Sequence, residues 1–456
     1  MLSRRYALAA LAAAAAAPGS AIAQSTDAEM EATLRALFLY NPDLFQQSLD
    51  RLRERGKPDV ASTLILALRF SAQPHEPVQE LLRDLTGGDG TDWFTWMLWQ
   101  EQHPEIASHP AYFDIKRTLL LSIDQNWTPF LEPDLIKPGA MDIRFEEISW
   151  GGVRRDGIPS LDNPKLIAAG EADYLLDSDL VFGVEINGDQ RAYPLRIMGW
   201  HEMFNDVIGG VPVALAYCTL CGSGVLFETT VDGRDEPFIM GTSGFLYRSN
   251  KVMYDRQTLS LWNQFTGKPV HGALRGTGTE LKVLPVTIEP WGAWRVRNPG
   301  TKVLSLETGH RRDYGSGVVY NEYFASPDLM FPAFVDQTRH LQKDYVFGVR
   351  DFGAAKAWPL TAFKGGRVIN DSIGTTPLVV IGDEAGRTVR AYQRGNNQFE
   401  AQPDATELKS ASGTWQVTEA ALIGPGGERL PRVAGHIAYW FAWSGYLGDV
   451  AELYEG

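Results

Sequence analysis

Cys218 and Cys221 are the only cysteines in a chain of 456 residues, and they stand two residues apart in the string Cys218-Thr219-Leu220-Cys221-Gly222-Ser223. A thiolate is both a nucleophile and a metal ligand, so a close pair is the first place to look for chemistry. Residues 211–217 read as a strand, 218–223 as a tight turn and 225–230 as the returning strand. Such a turn aims both sulfurs at one point, and the glycine after the second cysteine relieves the tight backbone.

A CxxCG turn between strands is the knuckle of rubredoxin-like and zinc-ribbon sites. Thiol–disulfide oxidoreductases instead set CxxC at a helix N-terminus, where the dipole lowers the pKa of the first thiol. No helix start follows the motif here, which favours a metal. With no other cysteine, an all-cysteine tetrahedral site within one chain is excluded, so nitrogen, oxygen or thioether must complete the set. His201 is the first candidate, since it follows Trp200 in the same part of the chain; Glu202, Met240, Met253 and His271 come behind it as further ligands or supporting groups. Two thiolates and an imidazole suit copper or zinc, with iron behind them. The expectation is a metal-binding protein with Cys218, Cys221 and His201 as ligands. Two alternatives stay open: a thiol–disulfide oxidoreductase using the same pair, and a scaffold or interaction protein in which the cysteines are incidental. A plain structural disulfide is disfavoured, because closing so short a loop removes little unfolded-state entropy. No Gly-rich phosphate loop, HExxH or nucleophile-elbow serine is present, and no catalytic residue is assigned. Asp255 sits in a turn of type Asp-Arg-Gln-Thr, where an aspartate ordinarily bonds its own backbone.

The elements that must position this pair are duplicated. Residues 181–217 align without gaps to 346–382 at an offset of 165, with thirteen identities that include Pro194/Pro359, Asn205/Asn370, Asp206/Asp371, Gly209/Gly374 and Pro212/Pro377. Leu281, Trp291 and Trp294 then correspond to Leu430, Trp440 and Trp443 at an offset of 149. Residues kept in both copies answer to shared turns and packing. His201, Glu202, Cys218 and Cys221 occur once, opposite Gly366, Arg367, Asp383 and Gly386, which marks the first copy as the one carrying a site.

Upstream, residues 24–125 carry helical periodicity. Leu34, Leu37 and Phe38, then Leu44, Phe45, Leu49 and Leu52, recur at three- and four-residue steps. Asn41-Pro42-Asp43 and Gly56-Lys57-Pro58-Asp59 mark helix starts. This reads as helical hairpins packed side by side, a surface for a protein partner or a brace for the next domain. Residues 126–140 read as a linker. The fold class expected is α+β: a helical-hairpin domain, then a β-rich domain over 141–456 built from two related halves, about 150–310 and 311–456, as a pseudo-twofold repeat.

Residues 1–23 read as an export leader: Arg4-Arg5, an Ala/Leu-rich stretch, Pro18-Gly19, and Ala21-Ile22-Ala23 as the cleavage site. Ser3-Arg4-Arg5-Tyr6-Ala7-Leu8 resembles the twin-arginine signal, whose passengers cross the membrane folded. The expected location is periplasmic or secreted. The formal net charge of −14 becomes two units more acidic once Arg4 and Arg5 leave with the leader, which argues against nucleic-acid binding. No later apolar stretch has the length of a spanning helix, so a soluble mature chain is expected.

The string YCTLCGSGVLF, followed by TSGFLYRSNKVMYDRQTLSLWNQFTG and preceded by WHEMFNDVIGGVPV, resembles the bacterial and archaeal family known as domain of unknown function 3179. The resemblance covers about residues 150–300 strongly and leaves the helical region outside. It implies a domain and an extracytoplasmic setting, with no reaction attached. Thr219 stands where the family pattern often has proline, which leaves the knuckle less rigid.

Overall fold

Asn41 starts the second helix, Pro42–Arg55, as its sequence predicts: the side-chain oxygen accepts the Asp43 and Leu44 N–H groups at 3.1 Å each, and Pro42 occupies the first turn. Gly56 ends it in the left-handed region at φ 65°, its N–H on the Leu52 carbonyl. This computed structural model describes residues 23–447 and 451–456, so all but the last residue of the expected leader lies outside them. Helices Ala23–Ala36, Ala61–Phe70, Glu76–Thr86, Trp93–Gln102 and Ala111–Ile123 complete the helical layer. Leu34, Leu37, Phe38, Phe45, Leu49 and Leu52 are buried, while Leu44 faces outward. No helix among the described residues is long and apolar enough to cross a membrane.

The stretch 126–140, expected as a linker, is packed. Trp127, Phe130, Leu131 and Ile136 lie in one core with the helices and with Phe245, Val252, Tyr254 and Leu261 of the β-rich region, and the Trp127 indole N–H donates to the Ser243 carbonyl at 2.7 Å. Lys116 of the last helix is buried at the same seam and donates to the Phe145 and Ile148 carbonyls, while burial pushes its ammonium down to about 7.

Beyond this seam the chain is β-rich, giving the α+β class expected, and its strand pairings repeat. Val181 pairs with Pro194 and Ile186 with Asp189; 165 residues later Val346 pairs with Pro359 and Asp351 with Ala354. Met203–Ala216 and Ile208–Val211 recur as Val368–Ile381 and Ile373–Thr376. Val213–Glu228 and Cys218–Ser223 recur as Leu378–Gln393 and Asp383–Thr388. The closing strand repeats at an offset of 149: Thr287 lies opposite Gly183, and His436 opposite Gly348. Side-chain hydrogen bonds follow the same rule. Asn205 exchanges two bonds with the Met240 backbone and Asn370 two with that of Phe399; Tyr193 and Trp358 donate to Asp206 and Asp371.

Two of the glycine identities answer to corresponding ring contacts. Gly183 lies against the ring of Trp294 and Gly348 against that of Trp443, with no room for a Cβ between them. Gly183→Ala and Gly348→Ala are each expected to cost about 1–3 kcal/mol through overpacking, read from urea midpoints. A loss under about 0.5 kcal/mol in both would show that these tryptophans do not set the glycines.

The halves part between Glu228 and Lys282. The drop in offset leaves this connection sixteen residues longer in the first half. There it forms strands Met240–Tyr247, Asn250–Asp255, Leu261–Asn263 and Lys268–His271, a separate sheet joined by Ile148–Trp150; the shorter counterpart instead extends its own sheet to eight strands.

Candidate functional site

Cys218 is the last residue of strand Val211–Cys218, and Ser223, its pairing partner, opens strand Ser223–Glu228. The predicted strand–turn–strand is therefore present, and the two sulfurs converge on each other: Cys218 and Cys221 form a disulfide with Cα atoms 5.3 Å apart. Both residues are buried, in a cluster with Leu246, Phe265, Tyr323, Val346 and Tyr439. The turn backbone is held from the second half, since the Tyr323 hydroxyl donates to the Leu220 carbonyl at 2.6 Å and the Tyr439 N–H to the Cys221 carbonyl at 2.7 Å. Gly222 has φ +59°, and a Cβ there would lie 3.0 Å from Tyr345 Cε1 and 3.1 Å from Tyr439 Cε2. The close approach of two tyrosines demands glycine here as firmly as the backbone angle does.

The second half makes the same turn without sulfur. Arg387, opposite Gly222, is left-handed at φ 50°, and its N–H reaches the Glu384 carbonyl at 3.1 Å as that of Gly222 reaches Thr219 at 3.3 Å. Removing the disulfide should therefore leave the fold standing. The double variant Cys218→Ser/Cys221→Ser is expected to lose at most about 2 kcal/mol, the loop-closure value for so short a ring. A thermal melt showing a loss beyond about 4 kcal/mol would make the bond a staple.

Around the turn lies a buried polar shell. Thr219, between the cysteines, donates its hydroxyl to Glu202 Oε1 at 3.0 Å, and the Tyr320 hydroxyl approaches the same oxygen at 3.4 Å. Lys251 Nζ meets Glu202 Oε2 at 2.8 Å and donates to the Glu202 carbonyl at 3.2 Å. Burial pulls the Lys251 ammonium down and the Glu202 carboxylate opposes it. Glu202 ends helix Leu195–His201 in the left-handed region at φ 54°, a conformation that aims its side chain back at the turn. Asn250 completes the shell, with Oδ1 2.8 Å from Cys221 Sγ.

The other expected ligands lie elsewhere. His201 is fully buried, with Nδ1 donating to the Pro159 carbonyl at 2.9 Å and Nε2 accepting from the Tyr314 hydroxyl at 2.6 Å. Burial pushes its ring down to about 4. Met240 and Met253 pack among Phe227, Phe238, Trp262 and Leu281. His271 sits on strand Lys268–His271, both ring nitrogens without a hydrogen bond among the described residues, and burial pushes it down to about 4. Among the described residues no three His, Cys, Asp or Glu side chains are grouped closely enough to hold a metal ion, so the three-ligand set is not assembled in this oxidised form. Of the expected residues, the structure brings together Cys218, Cys221 and Glu202.

Asn250 and Lys251 join the site without having been expected from the sequence. A two-residue turn at Arg248-Ser249, both left-handed at φ 47° and 60°, releases Asn250 to begin the strand. The signal available was the string RSNK inside the longer connection of the first half.

Residues 155–450 match the family model described as "Protein of unknown function (DUF3179)". No curated protein and no solved structure matches the chain.

Proposed function

We propose, for a chain that belongs to this family of unknown function, that Cys218 and Cys221 are a redox-active pair working outside the cytoplasm. The pair accepts and returns two electrons by thiol–disulfide exchange with an external dithiol. Reduction breaks the Cys218–Cys221 bond, closes one S–S bond in the dithiol and leaves two protein thiols, so electrons and protons arrive together. The observation that carries this reading is the sulfur-free copy of the turn at Asp383 to Thr388, which has the same register and the same left-handed residue. A bond that the backbone does not need is available for chemistry. The leader-like residues 1–23 support the extracytoplasmic setting, where a vicinal pair tends to be held oxidised.

The metal reading belongs to the reduced form of the same pair. His201 would join it only by giving up the Tyr314 hydroxyl and turning from Pro159.

The native protein, titrated with dithiothreitol and trapped with a mass-tagging alkylator, tests the proposal. Two thiols appearing together without denaturant, and disappearing on reoxidation, are expected. A pair that resists reduction until the protein unfolds would overturn it, and a reduced pair that takes up one equivalent of zinc or copper and then no longer exchanges would replace it with the metal reading.

The equal registers support a further part of this reading, that the two halves are copies of one unit about a pseudo-twofold axis. Superposing 181–217 on 346–382 should give a rotation near 180°; a rotation far from it would remove the axis and leave only the repeated pairings.

A further inference from the structure

Resting on the redox reading above, we infer that Asn250 is the group that receives Cys221 as the leaving thiolate, which gives the exchange a direction: the external thiol attacks Cys218 and Cys221 departs. One contact makes no sense in the oxidised state alone. Cys221 Sγ lies 2.8 Å from Asn250 Oδ1 and 3.7 Å from the Ser249 carbonyl, but a disulfide sulfur has no hydrogen to give either oxygen. The Asn250 Nδ2 is meanwhile buried with no hydrogen-bond partner among the described residues, on a residue with no exposed surface. Oxygen and nitrogen of a carboxamide exchange places by a half-turn that leaves the outline of the side chain unchanged. Turned so, Asn250 presents an N–H to Cys221 and gives its orphaned donor an acceptor.

That hydrogen bond is weak to a disulfide sulfur and strong to a thiolate, because a charged acceptor roughly doubles its strength and no water competes in a buried site. Burial alone raises a thiol pKa and makes a poor leaving group. With strands on both sides, no helix dipole offsets it. The groups facing Cys221 from the neighbouring elements do not supply the missing charge. Lys251 is neutralised by Glu202, Tyr345 and Tyr439 pack on Gly222, and the Tyr323 hydroxyl is spent on the Leu220 carbonyl. The Asn250 carboxamide is the side-chain group that reaches Cys221 Sγ, at 2.8 Å.

The backbone is bent to place it. Arg248 and Ser249 both adopt the left-handed conformation in a two-residue turn closed by Tyr247 and Asn250, positions where glycine or asparagine is usual. In the exchange, the incoming thiolate bonds to Cys218 Sγ, and the electron pair of the broken S–S bond leaves on Cys221, the sulfur that Asn250 faces. The second thiolate of the same dithiol then attacks its own sulfur in the mixed disulfide and releases Cys218, and the two protons of the dithiol pass to the protein sulfurs.

The test follows thiolate ultraviolet absorbance against pH in reduced protein carrying Cys218→Ser, so that Cys221 alone reports, with Asn250 intact, as Asn250→Ala and as the isosteric Asn250→Asp. Both substitutions are expected to raise the Cys221 titration by at least one pH unit, a tenfold loss of thiolate at neutral pH, with Asp the larger because it sets a second negative charge beside the sulfur. Unchanged titration in Asn250→Ala, with a melt that shows the protein folded, would overturn the assignment of Asn250 whatever the added charge of Asn250→Asp does, and even where the native pair still reduces reversibly. Failure of native reduction in the unsubstituted protein would instead remove the redox reading beneath it.

Discussion

Lowering the pH from 6.5 towards 4 is expected to destabilise this protein steeply, well before carboxylate protonation dominates. Three histidines are buried and held neutral by desolvation: His201 and His271 pushed down to about 4, and His436 to about 3, where Arg350 adds to the effect. An unfolded chain binds protons at these sites from about pH 6.5 downward and the folded chain does not, so each histidine removes up to about 1.4 kcal/mol of stability per pH unit as the pH falls through that window. Glu101 acts in the opposite direction. Burial pushes its carboxyl up to about 7, above the value of the unfolded chain, so its contribution is present below pH 4.5 and is lost as the pH rises through 7. One carboxyl offsets about one histidine, leaving a net slope of at most about 3 kcal/mol per pH unit. Urea midpoints at pH 7, 6 and 5 should fall in order, and His436→Gln should flatten the trend. Equal midpoints at pH 7 and 5 would mean that these rings are not held neutral in solution.

Lys251→Met is expected to be the most damaging single change near the candidate site. The pair it forms with Glu202 is almost wholly buried, with side-chain exposures of 5 % and 9 %, so removing the cation strands a carboxylate beside Thr219 and costs about 3–5 kcal/mol. Adding Glu202→Gln should recover a good part of that loss, since a neutral amide carries no stranded charge. A double-mutant cycle in chemical denaturation reads the coupling. A loss below about 1 kcal/mol for Lys251→Met would show that the pair is solvated, and would weaken the case that the turn is enclosed in a dry polar shell.

The turn itself was legible in the sequence because strand propensity, glycine and the cysteines are all local signals. So were the repeated strand pairings, because Asn205 and Asn370, like Trp294 and Trp443, make corresponding contacts at the two aligned positions. The shell was not legible. Asn250 lies 29 residues from Cys221 in the chain, and only the fold of the longer meander brings it to the sulfur. His201 and Glu202 are adjacent in sequence, and residue type alone favoured the histidine as the natural ligand. The left-handed residue at Glu202 turns the carboxylate to the disulfide, while the ring of His201 is satisfied by Pro159 and Tyr314. A backbone angle of this kind leaves no trace in residue type. The stretch 126–140 read as a linker from its proline, glycine and polar residues, although Trp127 and Phe130 were available to bury and do so against Phe245 and Tyr254.

A Cys218–Cys221 bond poised for exchange, and not serving as a brace, has a measurable signature. Equilibrating the native protein in thiol–disulfide buffers of defined ratio, quenching with acid and counting free thiols by mass gives its reduction potential directly. A reversible two-electron midpoint between about −270 and −120 mV, the range of exchanging dithiol proteins, is expected. A midpoint below about −300 mV, where structural disulfides lie, would contradict it.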